Sequence, residues 1–431
     1  MTELACVRKR WIPRRGCRRS HDAFWGVVRD GSAMGRLQRT DRSPIRIVRV
    51  ISRLNIGGPA IQAITLTRHL EDYGYQTTLV RGREEPDEGS MDDLAARLGV
   101  RPLMVSSLRR NPGWHDLRAL LAMVRIMRRI RPQIVHTHAA KGGTIGRAAA
   151  LIAFPHPARR PVLIHTYHGH SLRGYFSTPV SAIYRLIERA LGHFTNCLIA
   201  VSEEVRDELV AMRVAPRSKF EVVPLGFDLS PFVVDEGERQ RQRRALRAEL
   251  GVPEQAFVVT TVARLVPIKR VDRFLRVARA LADLQDVRFM IVGDGELRDE
   301  LQSSSDAIAL DGRVTWTGFR RDMPAVYFAS DLVVQTSDNE GTPVALIEAQ
   351  AAGVPVVSTD VGGSASAVCP QARTYLVPPD REPELASALR TLATDHGRLS
   401  ALTQVVQHHA SSFSLPRLTN AVGQLYARSA R

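Results

Sequence analysis

The chain is poor in the residues that would build a metal centre, a disulfide framework or a membrane-spanning helix. Only four of its 431 residues are cysteine, and their spacing offers neither a C-x-x-C pair for zinc nor the framework of a small secreted fold. No stretch approaches the roughly 18 to 20 consecutive apolar residues that a membrane-spanning helix needs. No Asp-x-Asp motif is present to hold magnesium. These absences predict a cytoplasmic protein with free thiols and no bound metal.

Positive charge is abundant but unevenly distributed. The formal net charge is +16, and residues 1–44 alone carry eleven Arg or Lys against four Asp or Glu. We predict that this basic segment is a disordered extension. The charge would attract an anionic membrane surface or nucleic acid, and a basic nucleic-acid-binding protein stays an alternative. Aromatic residues make up only 6% of the chain and do not interleave with the basic ones, which argues against nucleic acid as the partner.

Strand-like and helix-like stretches alternate along the chain from residue 45. The stretch 45–51 is predicted to be a strand that runs through a glycine turn into a helix over 60–73. After a polar, charged run, a second alternating series starts at residue 257. This order predicts two doubly wound parallel sheets that face each other across a cleft. The predicted parts are the extension 1–44, a first domain 45–230, a linker region 231–250, a second domain 251–414, and a final helix 415–431 for which a crossing back to the first domain is left open.

One segment places two glutamates at the entrance of a predicted helix. Glu340 and Glu348 are eight positions apart, so one helix entrance can hold two parts of one ligand. Backbone N–H groups near Gly341 and Thr342, before Pro343, have no partner within the helix and carry partial positive charge. Such groups suit a phosphate or a sugar oxygen. Each glutamate taken singly would be interpreted as a helix cap or a solvated charge.

The pattern Glu340-x7-Glu348, followed by small residues and a glycine turn, resembles the signature of glycosyltransferase family 4. The segment from Arg264 to Lys269, after a predicted strand, is similar to a basic motif of the same family. The resemblance implies a GT-B fold with two Rossmann-like domains. It also implies that Glu340 holds hydroxyls of the donor sugar and that Glu348 holds the ribose hydroxyls. Arg264 and Lys269 are implied to clamp the leaving diphosphate, where preorganised cations stabilise the developing charge.

The resemblance extends to the first half of the chain and to one later strand end. Gly57 and Gly58 match a glycine turn that approaches the donor phosphates. His168 matches a histidine beside the donor sugar, where it would bond a sugar hydroxyl. Phe319 stands where family members hold the nucleotide base through the backbone. Lys141, after a histidine-rich strand end, is a candidate contact for the acceptor.

The resemblance implies a retaining glycosyltransferase that moves a hexose from a nucleotide diphosphate donor to a glycan or lipid-linked acceptor. A UDP-sugar is favoured as donor, and the implied setting is surface polysaccharide or glycolipid synthesis. The nucleotide sugar is a substrate, so no cofactor is implied. A non-hydrolysing sugar-nucleotide 2-epimerase, which shares the two-sheet plan, stays the alternative enzyme. The stretch 117–125 has an apolar and a basic face, which favours packing against the sheet and leaves peripheral contact with an anionic membrane as the alternative.

Overall fold

The structure is a computed structural model that describes residues 43–55, 57–85, 89–109, 111, 113–169, 178–310 and 312–429, the side chains of 178–181 excepted. The predicted disordered extension lies outside the described residues, as do the predicted thiols of Cys6 and Cys17. Cys197 and Cys369 are free thiols, as the sequence predicts.

The first lobe is built on a parallel sheet of seven strands. They are β1 (Ile45–Ile51), β2 (Tyr75–Arg81), β3 (Leu103–Met104), β4 (Ile134–His138), β5 (Val162–Tyr167), β6 (Cys197–Ala200) and β7 (Phe220–Val222). The spatial order is β3-β2-β1-β4-β5-β6-β7. In β1 every side chain from Ile47 to Ile51 is buried, because parallel strands of this kind are covered by helices on both faces.

Helices join these strands and cover the sheet. They are α1 (Gly58–His69), α2 (Asp92–Arg97), α3 (His115–Ile130), α4 (Ala140–Ala153), α5 (Thr178–Phe194) and α6 (Glu203–Ala211). Helix α3 buries Ala119, Met123 and Met127, which recur every four residues along one face. It packs against α4, and α4 packs against α5. Within the described ranges, no helix combines the length and apolarity that crossing a bilayer requires.

The second lobe repeats this plan on a sheet of six strands. They are β8 (Phe257–Val262), β9 (Val287–Val292), β10 (Val314–Gly318), β11 (Leu332–Gln335), β12 (Val356–Thr359) and β13 (Leu376–Val377). The spatial order is β10-β9-β8-β11-β12-β13, with parallel pairing throughout. The lobe's main hydrophobic core includes Phe274, Phe289 and Tyr327.

The helices of the second half include one in the region where we predicted the linker. They are α7 (Glu236–Glu249), α8 (Val271–Arg279), α9 (Arg298–Gln302), α10 (Ser305–Ile308), α11 (Met323–Ala329), α12 (Val344–Ala351), α13 (Ser364–Ala367), α14 (Glu382–Thr394), α15 (His396–Ala410) and α16 (Leu415–Ser429). Helix α7 packs against α11. Its buried Arg247 donates to the backbone carbonyl of Ala329 and to Asp331 Oδ2. Most of the region 231–250 is therefore part of the second lobe.

The last helix, α16, packs in the first lobe although it follows the second lobe in sequence. Its Leu418, Val422 and Tyr426 share a hydrophobic cluster with residues of β1, β4 and β5. The chain passes between the lobes where Phe227 and Ser414 form a parallel bridge. The C-terminal helix thus crosses back to the first domain.

The strand order of each sheet reverses direction at one point, between β1 and β4 in the first lobe and between β8 and β11 in the second. Open parallel sheets bind ligands in the crevice outside the carboxyl ends of the strands at such a reversal. His138 is the last residue of β4, and the segments that follow β1, β8 and β11 contain Gly57, Lys269 and Glu340. The prediction of two Rossmann-like, doubly wound sheets is confirmed, and the topology points to these loops as the site.

Candidate active site

The loops after β8 and β11 lie side by side because these strands are neighbours in the sheet, and hydrogen bonds connect them. The backbone N–H of Asp338 donates to the carbonyl of Ile268 at 2.9 Å. The hydroxyl of Thr336 donates to the carbonyls of Lys269 and Arg270 at 3.2 and 2.9 Å. These bonds fix the turn that carries Lys269 against the loop that carries Glu340.

Lys269 and Glu340 form an ion pair at the carboxyl edge of the second sheet. Lys269 Nζ lies 2.6 Å from Glu340 Oε1, and the hydroxyl of Ser337 donates to the same oxygen at 2.6 Å. The Glu340 side chain is only 8% exposed, and that of Lys269 is 27% exposed. A carboxylate this buried needs its compensating donors. The pair therefore holds a fixed ammonium and a fixed carboxylate at the mouth of the crevice.

Arg264 does not join this pair. It is exposed, and its guanidinium makes no hydrogen bond or ion pair with any residue in the described part of the chain. The resemblance implies that Arg264 and Lys269 clamp the leaving diphosphate; of these two cations, only Lys269 contacts Glu340. Arg264 follows β8 in the same segment as an uncompensated cation.

Glu348 lies one turn inside α12 and is held by a tyrosine that the sequence analysis missed. The hydroxyl of Tyr327, a buried residue of α11, donates to Glu348 Oε2 at 3.0 Å. Burial raises the pKa of Glu348 to about 7, against a lowering contribution from the Tyr327 hydrogen bond. The carboxyl group therefore changes charge near neutral pH. No motif links the two positions in sequence, so Tyr327 could be found only through the packing of α11 on the sheet.

The N-terminus of α12 has features that suit an anion. Its N-cap position, Pro343, offers no side-chain hydrogen bond, and the first turn holds no acidic residue. The first N–H groups of a helix lack intrahelical partners and carry partial positive charge. The hydroxyl oxygen of Thr342 is buried without a hydrogen-bond partner among the described residues. Buried polar groups are normally paired, so this hydroxyl points to a ligand.

The loop before α12 is shaped by a glycine pair that the sequence analysis did not single out. The N–H of Gly363 donates to the carbonyl of Glu340 at 3.1 Å. A Cβ atom on Gly362, whose φ is +51°, would lie 1.8 Å from that same carbonyl oxygen. Only glycine allows this approach. Two adjacent glycines in the loop that follows a strand were the available signal.

Residues of the first lobe reach this entrance from across the crevice. A Cβ atom on Gly341 would lie 2.1 Å from the carbonyl oxygen of His168, so the two backbones touch. A Cβ atom on Gly58 would lie 3.5 Å from Val344 Cγ2, in the first turn of α12. Gly57 precedes the N-terminus of α1, whose first turn also lacks an acidic residue. The structure thus brings His168, Gly57 and Gly58 together with Gly341 and the start of α12.

His168 is paired with a second histidine at the crevice. His168 Nε2 lies 3.0 Å from His138 Nδ1, so one ring nitrogen donates and the other accepts. Burial lowers the pKa of His168 to about 3, and burial also lowers the pKa of His138. The remaining nitrogens, His168 Nδ1 and His138 Nε2, are buried without a partner among the described residues. A neutral imidazole here can bond a ligand hydroxyl.

The other histidines of these strands have structural partners. His136 Nδ1 lies 2.5 Å from the hydroxyl of Tyr426, and Nε2 lies 2.7 Å from Thr166 Oγ1. His165 Nδ1 lies 2.8 Å from Thr137 Oγ1. No group of three or more His, Cys, Asp or Glu suited to a metal ion occurs in the described ranges.

Two further predicted contacts stand apart from this cluster. Phe319 follows β10 and is 56% exposed. Since β10 and β11 are separated by β9 and β8, the strand spacing puts the loop of Phe319 on the order of 14 Å from that of Glu340. The ammonium of Lys141 is 2.7 Å from Asp116 Oδ1 and donates to the carbonyl of Asn111. Lys141 is therefore already engaged within the first lobe.

Solved structures with the same architecture define the class of fold. A protein of Anabaena, HepE, solved in complex with UDP and glucose, superposes with a TM-score of 0.74 at 22% identity, covering 89% of this chain and 99% of that one. Sucrose-phosphate synthase from Thermosynechococcus elongatus has a TM-score of 0.72 at 20% identity, covering 90% of this chain and 99% of that one. The fold is the two-lobed GT-B fold of glycosyltransferases.

Sequence comparisons give the family. Residues 242–407 match the model of glycosyl transferases group 1, and residues 56–231 match that of glycosyltransferase family 4. A galactosyltransferase of Escherichia coli, UDP-Gal:alpha-D-GlcNAc-diphosphoundecaprenol alpha-1,3-galactosyltransferase, is 30% identical over 272 residues, covering 62% of this chain and 67% of that protein. The chain therefore belongs to the family 4 glycosyltransferases. A D-inositol 3-phosphate glycosyltransferase of Salinispora arenicola is 32% identical over 244 residues, about half of each chain.

Proposed function

We propose that the protein is a retaining hexosyltransferase that uses a UDP-sugar and acts on a glycan or lipid-linked acceptor. The observation that carries the proposal is the Lys269–Glu340 pair beside the uncapped start of α12, facing His168 and the glycine turn of the first lobe. Two similar proteins support a UDP-sugar as the donor. The similar E. coli enzyme is named for UDP-Gal, and the Anabaena structure contains UDP and glucose.

The donor would lie along the carboxyl edge of the second sheet. We place its diphosphate at the N-terminus of α12, where unpaired N–H groups and the helix dipole favour an anion. The nucleoside would extend toward the loop of Phe319, with its ribose hydroxyls donating to Glu348. The sugar would lie between Glu340 and the free nitrogen of His168. The separation of the β10 and β11 loops fits a ligand extended along this edge.

Lys269 and Arg264 would stabilise the leaving group. As the bond between C1 of the sugar and the phosphate oxygen breaks, negative charge develops on the diphosphate. Fixed cations lower the free energy of that transition state without reorganising. Glu340 holds Lys269 in place, and no carboxylate among the described residues pairs with Arg264. These two cations support a transfer that needs no metal. If that is right, a chelator such as EDTA should leave the transferase activity unchanged.

We propose that the acceptor hydroxyl attacks from the face that the diphosphate leaves. The C1–phosphate bond breaks, the C1–acceptor bond forms, and the acceptor proton passes to the departing phosphate oxygen. His168 serves as a neutral hydrogen-bonding group because burial holds its pKa far below neutrality. The acceptor would enter from the first lobe. We propose that the enzyme acts on the cytoplasmic side of a membrane, in surface polysaccharide or glycolipid synthesis.

The direct test incubates the purified protein with single UDP-sugars and a polyprenyl-diphosphate-linked sugar as acceptor. We expect release of UDP together with an extended acceptor whose new linkage, analysed by NMR, keeps the donor's anomeric configuration. An inverted linkage would refute retention. Formation of an epimeric UDP-sugar without acceptor would instead identify a 2-epimerase. Glu348→Gln serves as the binding-defective control and should lower the affinity for the donor.

A further inference from the structure

Large apolar side chains are concentrated on one surface of the first lobe. This surface is the layer of α3, α4 and α5, called here the α3–α5 face. Its exposed large apolar residues are Trp114, which caps α3, Leu117, Leu121, Ile152, Ile183, Leu186 and Phe194. Trp114 is 93% exposed. A concentration of this kind marks an interaction surface, since single exposed apolar residues are normally scattered.

Arginines stand beside these apolar residues on α3. They are Arg118, Arg125, Arg128 and Arg129, all exposed and with no ion pair or hydrogen bond from the guanidinium to any described residue. Trp114, Leu117, Leu121, Arg125 and Arg128 follow one another at steps of three or four and so share one face of the helix. The N-terminal half of this face is apolar and the C-terminal half is cationic.

Exposed arginines of the second lobe are different, because many have carboxylate partners. Examples are Arg279 with Asp306, Arg381 with Glu384, and Arg390 with Asp283. The charge on α3 is therefore not a general property of an arginine-rich chain. Uncompensated cations next to exposed apolar side chains, including a tryptophan, are what the headgroup region of an anionic bilayer complements.

The α3–α5 face is connected to the active site. Asp116, in the first turn of α3, pairs with Lys141 in the first turn of α4. Helix α4 follows β4, which ends at His138, and His138 is hydrogen-bonded to His168 at the crevice. The apolar end of α3 therefore lies against the segment that forms the first-lobe wall of the crevice.

We propose that the α3–α5 face docks the protein on an anionic lipid bilayer, so that the first-lobe side of the crevice opens toward the membrane surface. The relevance of this docking to a lipid-linked acceptor rests on the proposed function, whereas the binding itself does not. The apolar residues enter the interface, and the arginines contact lipid phosphates. The seven apolar residues span three packed helices, so the contact is a surface rather than a single inserted side chain.

The test is co-sedimentation of the full chain with two kinds of vesicle, phosphatidylcholine alone and phosphatidylcholine mixed with phosphatidylglycerol. Two variants alter the α3–α5 face: an apolar one and a charge one. Two others are matched controls on the second lobe, and a fifth removes charge from the basic N-terminal segment. The apolar variant carries Trp114→Ser, Leu117→Ser and Leu121→Ser, and its second-lobe control carries Val233→Ser and Ile308→Ser. The charge variant carries Arg118→Ser, Arg125→Ser and Arg128→Ser, and its second-lobe control carries Arg279→Ser, Arg381→Ser and Arg390→Ser. The N-terminal variant carries Arg14→Ser, Arg15→Ser, Arg18→Ser and Arg19→Ser.

We expect the wild type to bind the anionic vesicles and not the neutral ones. Each arginine near an anionic surface contributes roughly fivefold to the partition coefficient, so the α3 charge variant should lose on the order of a hundredfold. The apolar variant should also bind more weakly, and both second-lobe controls should bind like the wild type. Affinity for UDP-glucose, measured by calorimetry, should be the same in all of them because none touches the crevice.

Three results would overturn the proposal. The first is equal binding by the α3 variants and their second-lobe controls. The second is loss of binding only in the N-terminal variant, which would assign the lipid contact to that segment. The third is concentration-dependent self-association that the apolar variant abolishes while vesicle binding persists, which would make the face a contact between copies of the chain. Failure of the wild type to bind UDP-glucose would contradict the proposed function and leave the docking surface standing.

Discussion

Donor affinity should depend on pH through Glu348. Its pKa is raised to about 7 by burial, and its proposed role is to accept hydrogen bonds from the two ribose hydroxyls. The ionised carboxylate is the better acceptor, whereas the protonated group offers a donor that the ribose does not need. Binding of the donor therefore favours the ionised form, and affinity should rise as the pH increases through the pKa of the free protein.

The size of the effect follows from the fraction ionised. With a pKa of about 7, roughly one tenth of the free protein carries an ionised Glu348 at about pH 6 and roughly nine tenths at about pH 8. If only the ionised form binds, the dissociation constant falls about tenfold over this range, or about 1.4 kcal/mol. Above about pH 8 the affinity should level off. His168 does not contribute, because its pKa lies near 3.

Titration calorimetry with UDP-glucose measures this dependence, since the esterified diphosphate of that ligand does not titrate near neutrality. Glu348→Gln should bind more weakly and show no rise with pH. Tyr327→Phe removes the hydrogen bond that lowers the pKa of Glu348, so the rise should move to higher pH. A wild-type affinity that is flat with pH, or a rise that survives in Glu348→Gln, would refute the assigned role of this carboxyl group.

Other substitutions test separate parts of the structure. Lys269→Ala should lower kcat by about a hundredfold to a thousandfold while the dissociation constant of the donor changes less, and equal losses in both would contradict a role in departure of the diphosphate. Gly341→Ala should abolish transfer with little change in Tm, because its methyl group would force the lobes apart; wild-type kcat would show that this contact is dispensable. Tyr426→Phe removes a hydroxyl that Arg49 and His136 both contact. The free energy of unfolding, measured by thermal denaturation, should therefore fall by about 1–3 kcal/mol. An unchanged Tm would mean that water replaces the hydroxyl.

The sequence predicts the parts of the site that local spacing encodes. Glu340 and Lys269 lie in separate segments, yet each follows a predicted strand, and neighbouring parallel strands bring their loops together. The glycine turn at Gly57 and the histidine at position 168 come instead from the resemblance to family 4, and the structure brings them to the start of α12. A strand, a turn and a helix start are local properties, so pattern and spacing are enough to find them.

The rest depends on packing between distant elements. Tyr327 reaches Glu348 because its side chain is buried within the second lobe, and no spacing rule connects the two positions. The isolation of Arg264 from the Lys269–Glu340 pair depends on side-chain directions that a motif does not encode. Helix α7 forms where composition indicated a linker, because the buried guanidinium of Arg247 is satisfied by carbonyls and a carboxylate of the second lobe.

The crossing of α16 makes the two halves of the chain interdependent. Tyr426 completes the first lobe's core, so a fragment ending near residue 230 would expose the cluster that α16 covers and leave Arg49 and His136 without its hydroxyl. A chimaera that exchanges the first lobe between related enzymes must therefore take residues 415–429 from the same parent as residues 45–227. The boundary between the two lobes is crossed twice by the backbone, and any exchange of one lobe has to respect both crossings.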